Sequence, residues 1–220
     1  MPSQASTFFN TVMRHKYPDK RLQLNPVNVT LSHIEIASEE PDQSIMLTKR
    51  QVDHIFTELP EAEAKERQVI LVDIRSQYIT QNTDSSQQLI SGQHFNLVVL
   101  DKKIAYLFEP FGENTASVQI AKLVRSQFPD HRLVVLAAHP QSAQKKDIYC
   151  MVYVTMLADA VLRDESASVP EIAAACFARA PLSGAKKYFA QLQKDIPYLP
   201  PCPAGSFWDD HKGSHSFICH

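Results

Sequence analysis

The stretch HFNLVVLDKKIAYLFE, which begins at His94 and ends at Glu109, decides the fold because it predicts two paired strands. Residues 94–101 and 104–108 are rich in the β-branched and aromatic residues that strands favour. The polar connection Asp101-Lys102-Lys103 is short enough to make these strands an antiparallel hairpin. In a hairpin the start of the first strand lies beside the end of the second. His94 and Glu109 are therefore expected at the same edge of the sheet.

The flanking sequence adds helices and further strands to this hairpin. Residues 69–74 and 132–138 are predicted strands, and residues 22–36 are predicted to be extended. Apolar residues at helical spacing predict helices from Phe8 to about Tyr17, from Thr48 to Leu59, and over residues 115–128, 148–163, 168–180 and 185–194. This mixture predicts the α+β class, with a small central mixed β-sheet flanked by helices. The chain is expected to form a single domain, with a core over about residues 20–165 and C-terminal helices and an irregular tail over about 168–220.

Composition and charge argue against several classes of protein. Of the 220 residues, 44% are hydrophobic and 21% are charged, and the formal net charge is −2, so no nucleic-acid partner is expected. No apolar run is long enough for a membrane span, and the N-terminus lacks the apolar block of a classical signal peptide. The four cysteines have no CxxC spacing, which is typical of a reduced protein. The cysteines and histidines of the tail match no compact zinc site, so no metal is expected.

Cys150 is the candidate nucleophile because it lies in the first turn of its predicted helix. Helix N-termini present unpaired N–H groups and positive potential, which stabilise a thiolate. The ordinary alternative is that a cysteine on an apolar helix is only a small hydrophobic residue. His94, expected to open its strand after a flexible loop, is the candidate base, and Glu109 is the carboxylate that would orient it. Gln144, six residues before Cys150, is a candidate donor to an oxyanion.

The order His94, Glu109, Gln144, Cys150, together with the local sequences, resembles the YopJ family of bacterial effectors. This family belongs to the clan of ubiquitin-like-protein cysteine proteases. The resemblance rests on HFNLVVLD around the histidine, on YLFEPFG around the acid and on the spacing from the glutamine to the cysteine. The resemblance extends more sparsely over about residues 8–215, through the strings KYPDKRLQL, PVNVTLSHIEI and IPYLP. The resemblance implies a cysteine-protease-like catalytic core.

The function that this resemblance implies is acetyl transfer to host proteins. Cys150 would take an acetyl group from acetyl-coenzyme A as a thioester and pass it to serine, threonine or lysine of a host signalling protein such as a kinase. His94 would act as the base, Glu109 would orient it, and Gln144 would stabilise the oxyanion. The resemblance also implies delivery into the host cell cytoplasm by a bacterial secretion system.

Inositol hexakisphosphate is the activator that the resemblance implies. The candidate residues for binding a phosphate-rich cofactor are Lys186, Lys187, His211 and Lys212, with Arg14 and Lys16 from the first helix. The C-terminal region departs from the family pattern, because only about 70 residues follow Cys150 and because Asp210 stands where a basic residue is usual. These departures weaken the expectation of an activator site.

Two other functions stay open at this stage. A cysteine protease of the same clan, removing ubiquitin or a ubiquitin-like modifier, would use the same residues. Such proteases commonly have a tryptophan beside the histidine, and Phe95 at that place favours the transferase. A catalytically weak binding protein is the third possibility, because Met151 replaces the glycine that usually follows the nucleophile in the family.

Overall fold

The structure is a computed structural model that describes residues 4–20, 22, 27–34, 46–47, 67–81, 87–111, 115–140 and 149–202. The helix predicted from Thr48 to Leu59 lies outside these residues, as does most of the predicted irregular tail. The described elements, in chain order, are α1 (Gln4–Lys16), β1 (Val27–Ile34), β2 (Met46–Leu47), β3 (Gln68–Gln81), β4 (Gln87–Asp101), β5 (Ile104–Phe108), α2 (Thr115–Gln127), β6 (Arg132–Val135), α3 (Cys150–Arg163), α4 (Val169–Phe177) and α5 (Pro181–Asp195).

The described strands form one mixed sheet in the order β2-β1-β3-β4-β5-β6. The pairs β1–β3 and β5–β6 are parallel, whereas β1–β2, β3–β4 and β4–β5 are antiparallel. The α+β class with a mixed sheet flanked by helices is therefore confirmed. The β4–β5 hairpin forms as predicted, and its turn places Lys102 at a φ of 56°.

The central strands β3 and β4 are longer than predicted. β4 begins at Gln87 rather than at His94, and its pairing with β3 continues to the pair Gln81–Gln87. The prediction that His94 opens a strand after a flexible loop is therefore wrong. Backbone hydrogen bonds extend the β3–β4 ladder through a mostly polar stretch in which apolar and polar residues do not alternate. β6 ends at Val135 instead of residue 138, because its partner β5 ends at Phe108.

Two apolar layers cover the two faces of the sheet. Alternate residues of β4 belong to different layers, as the two-residue period of a strand requires. The first layer contains Phe95, Leu97 and Val99 together with residues of α1, α3, α4 and α5. The second layer contains Val98 and Leu100 together with residues of α2. α3 is buried along most of its length, which explains why its sequence is apolar on nearly every side.

A buried arginine fixes the C-terminal end of α3 to the sheet. Arg67, directly before β3, donates to the carbonyl oxygens of Val161 at 3.1 Å, Asp164 at 2.8 Å and Ala167 at 3.0 Å. It also donates to the carboxylate of Asp101, at the end of β4, at 2.9 Å. The last carbonyl groups of a helix lack partners within the helix, and a guanidinium group is well suited to satisfy several of them. Arg67 therefore links the helix that begins at Cys150 to the strand that carries His94.

A second buried charge fixes α1 and α5 against α3. Asp159 accepts hydrogen bonds from Lys16 at 2.7 Å and from the Tyr17 hydroxyl at 2.6 Å. The ammonium group of Lys16 also lies 5.1 Å from the ring centroid of Tyr188, which is a cation–π distance. Burial and the neighbouring Asp159 strongly raise the pKa of both tyrosines, so both stay protonated. Lys16 is thus engaged in the packing of three helices.

The boundary between α4 and α5 differs from the prediction. α4 starts with a capping box, in which Ser168 and Glu171 each bind the other's backbone, but it ends at Phe177 instead of residue 180. α5 begins at Pro181, before the predicted residue 185, and the preceding Ala180 has a left-handed backbone with φ 43°. Proline disfavours the right-handed helical conformation in the residue before it, which separates the two helices at Ala180.

Candidate active site

A histidine and a carboxylate meet at the edge of the sheet where β5 ends. Nε2 of His94 lies 2.5 Å from Oε1 of Glu109, the residue that directly follows β5. The same oxygen accepts the backbone N–H of Phe111 at 2.9 Å. The Glu109 side chain is 1% exposed and the His94 side chain is 19% exposed. Because two donors converge on one oxygen of a buried carboxylate, the carboxylate is held in a fixed position beside the imidazole.

The same histidine contacts the candidate nucleophile. Burial alone would lower the pKa of His94. The charge of Glu109, a hydrogen bond with the Cys150 side chain and the hydrogen bond with Glu109 outweigh burial and raise the pKa of His94 to about 10. Since Nε2 faces Glu109, Nδ1 is the ring nitrogen left for the sulfur of Cys150. At neutral pH the histidine is therefore an imidazolium ion between the Glu109 carboxylate and the sulfur of Cys150.

Cys150 is the first residue of α3. Tyr149, the residue before it, forms no side-chain cap to the first N–H groups of the helix. These groups and the helix dipole favour negative charge on the sulfur and on any oxyanion formed next to it. Cys150 exposes none of its surface, so an acyl donor reaches the sulfur only after neighbouring groups move.

Met151 follows the nucleophile and belongs to the core. Its side chain is fully buried, and its sulfur lies 3.8 Å from the hydroxyl oxygen of Thr155, one turn further along α3. The same hydroxyl donates to the Met151 carbonyl oxygen at 2.7 Å. Met151 therefore packs along its own helix.

Three of the predicted site residues come together, and the others do not join them among the described residues. His94, Glu109 and Cys150 form one connected group. Lys186 and Lys187 are exposed on α5. The remaining predicted site residues, Gln144, His211 and Lys212, lie outside the described part of the chain.

The structure adds His139 to the surroundings of the triad. Its Nδ1 lies 3.1 Å from the carbonyl oxygen of Glu109, so the tautomer protonated on Nδ1 donates to that oxygen. The parallel pairing of β5 with β6 brings the residues that follow the two strands together, and the sequence gives no sign of this pairing. A cavity of about 400 Å³ adjoins His139. Its lining is mostly apolar and consists of Leu136, Ala137, Ala138, His139, Pro140, Pro170, Ala173, Ala174, Phe177 and Pro181.

Aromatic packing joins this cavity to the triad. Phe177 of the cavity wall stacks on Phe108, with ring centroids 5.2 Å apart and planes 3° from parallel. The rings of Phe177 and Tyr153 form a T-shaped contact, with their centroids 5.9 Å apart. Phe108 precedes Glu109, and Tyr153 lies one turn after Cys150. The three packed rings of Phe108, Phe177 and Tyr153 therefore connect the segment that carries Glu109 with the helix that carries Cys150.

No protein-family model matches the chain, and no curated protein matches it significantly. Within the described ranges, no three histidine, cysteine or acidic side chains are grouped closely enough to hold a metal ion. Every helix of the described residues is too short or too polar to cross a membrane. The geometry alone thus defines an α+β protein with a cysteine–histidine–glutamate group in which Cys150 and Glu109 are buried and His94 is partly exposed.

Proposed function

We propose that the chain is a thiol acyltransferase of the YopJ type, with Cys150 as nucleophile, His94 as acid and base, and Glu109 as the residue that orients His94. The observation that carries the proposal is the pair of contacts made by one imidazole. His94 binds Glu109 at 2.5 Å through Nε2, and it lies close enough to Cys150, at a helix N-terminus, for that side chain to raise its pKa. A nucleophile, a base and an orienting acid in this order are the parts that covalent acyl transfer needs.

The first half-reaction uses the imidazolium ion as an acid. The Cys150 thiolate attacks the acetyl carbonyl carbon of acetyl-coenzyme A, and the N–H groups at the start of α3 stabilise the oxyanion. The carbon–sulfur bond to coenzyme A then breaks. The leaving thiolate takes the proton of His94, and Cys150 holds the acetyl group as a thioester.

The second half-reaction uses the neutral imidazole as a base. Acylation removes the negative charge on the Cys150 sulfur, so the part of the raised His94 pKa that depends on this charge disappears. His94 then accepts a proton from the hydroxyl or amino group of the acceptor as that group attacks the thioester carbon. The carbon–sulfur bond breaks, the acetylated acceptor leaves, and the thiolate–imidazolium pair is restored.

The partners in this proposal follow from the resemblance. The acceptor is a serine, threonine or lysine of a host signalling protein, such as a kinase, reached after secretion into the host cytoplasm. Inositol hexakisphosphate is the proposed activator. The exposed positions of Lys186 and Lys187 suit contact with a polyanion, whereas the bond of Lys16 to Asp159 makes it a weaker candidate.

Intact-protein mass spectrometry after incubation with acetyl-coenzyme A, with and without inositol hexakisphosphate, tests the proposal. Wild type is expected to gain one acetyl group and Cys150→Ala none. The matched control is Cys176→Ala, because burial raises the pKa of the Cys176 thiol to about 11 and keeps it protonated. If wild type gains no acetyl group but reacts with a ubiquitin-derived suicide probe, the clan protease is the correct function. If it does neither, the protein is a binding protein.

A further inference from the structure

Asn96 is a buried amide close to the triad. It lies two residues after His94 on β4, and residues two apart on a strand face the same side of the sheet. The residue exposes none of its surface. Neither its Oδ1 nor its Nδ2 has a hydrogen-bond partner within the described residues. Buried amides without partners are unfavourable and rare, so the position of Asn96 calls for a physical reason.

Glu109 has the complementary unsatisfied atom. Its Oε1 is engaged by His94 and by the Phe111 backbone, whereas its buried Oε2 has no partner in the part of the chain that the structure describes. The β4–β5 ladder ends with the pair Leu97–Phe108, and Asn96 and Glu109 are the next residues beyond that pair on the two chain segments. One buried water between the Asn96 amide and the Glu109 carboxylate can satisfy both groups.

We propose that Asn96 is a positioning residue whose side-chain amide donates to Oε2 of Glu109 through one bridging water. The terminal torsion of a glutamate is broad, so a carboxylate held at only one oxygen can turn. A donor on Oε2 stops this rotation and keeps Oε1 against Nε2 of His94. The inference rests on the proposed triad and extends it by one residue that contacts neither the sulfur nor the substrate.

The test compares Asn96→Val with Asn96→Thr. These two side chains have nearly the same shape and both suit a strand, but only threonine has a hydroxyl group that can donate to Glu109. The measurements are the pKa of His94 by NMR titration and the single-turnover rate of acetyl transfer to and from Cys150. We expect Asn96→Val to lower the His94 pKa and to slow transfer about ten-fold, because the carboxylate loses its orientation. Asn96→Thr is expected to restore most of the His94 pKa and most of the transfer rate. If Asn96→Val does not fold, Asn96→Ala and Asn96→Ser provide the same comparison.

Gln68→Leu is the matched control. Gln68 is a buried residue of β3 whose Oε1 has no partner among the described residues, and it pairs with Leu100 at the end of the hairpin away from His94. If Asn96 serves only the packing of the sheet, Asn96→Val will resemble Gln68→Leu, with altered thermal stability but an unchanged His94 pKa and rate. That result would overturn the inference. If wild type transfers no acetyl group, the proposed function fails, and the NMR comparison still decides the role of Asn96.

Discussion

Replacing Glu109 by glutamine removes the charge that does most to keep His94 protonated. Glu109→Gln keeps the shape of the side chain but leaves no negative charge 2.5 Å from Nε2. Burial then opposes the imidazolium ion, and Cys150 alone supports it. We therefore expect the pKa of His94 to fall by more than one unit in this variant. In hydrolases with a comparable triad, loss of the carboxylate lowers the rate by about 10⁴-fold, and we expect at least about 10²-fold slower acetyl transfer here.

The raised pKa of His94 also has a consequence for stability. The pKa rises from 6.5 to about 10 on folding. Between these pH values the His94 side chain holds a proton in the native protein that it lacks in the unfolded chain, so its own contribution to the free energy of unfolding falls as the pH rises. This contribution is complete below about pH 6.5 and is lost as the pH approaches 10.

Urea denaturation at several pH values between 6 and 10 measures this dependence. Wild type is expected to lose stability steadily over this range, and Glu109→Gln to show a much flatter curve. Glu165→Gln is the control, since Glu165 is an exposed carboxylate that pairs with Lys20 at the surface. Parallel curves for wild type and Glu109→Gln would refute the argument, because they would mean that Glu109 does not control the protonation of His94.

Three further predictions concern single side chains. Cys150→Ser should abolish the thioester and lower the pKa of His94, since the interaction with the thiolate is lost; an unchanged NMR titration of His94 would contradict this. Arg67→Met should lower the free energy of unfolding in urea by about 3 kcal/mol or more, because the half-buried carboxylate of Asp101 and several carbonyl groups lose their donor, and a loss below about 1 kcal/mol would show that the hydrogen bonds of Arg67 contribute little. Ser168→Ala should cost about 1 kcal/mol by breaking the capping box with Glu171, measured as a lower melting temperature, whereas an unchanged melting temperature would show that α4 does not need its cap.

Regular apolar patterns explain which parts of the fold were predictable. α1, α2, α3 and the β4–β5 hairpin were predicted within a few residues because each buries one face or its whole length. The first part of β4 was missed because most of its residues are polar and its two aliphatic residues, Leu89 and Ile90, are adjacent instead of alternating. The end of α4 was missed because it depends on the backbone of Ala180 before a proline, which periodicity does not report.

The candidate site likewise has contacts that the sequence predicts and contacts that it does not. The nearness of His94 to Glu109 follows from the hairpin turn, which is local in sequence. The contact between His94 and Cys150 depends on how α3 packs on the sheet, and only the order of residues in a resembling family suggested it. His139 and Asn96 were missed, because the first depends on the parallel pairing of β5 with β6 and the second on burial without a partner.

The most direct test of the central claim is rapid-quench mass spectrometry of peptides from the protein mixed with acetyl-coenzyme A, with and without inositol hexakisphosphate. The account predicts that one acetyl group appears on Cys150, as a thioester that hydroxylamine cleaves, and that His94→Gln forms it far more slowly. An acetyl group that accumulates only on lysine side chains, or a Cys150 thioester that forms equally fast in His94→Gln, would contradict the account.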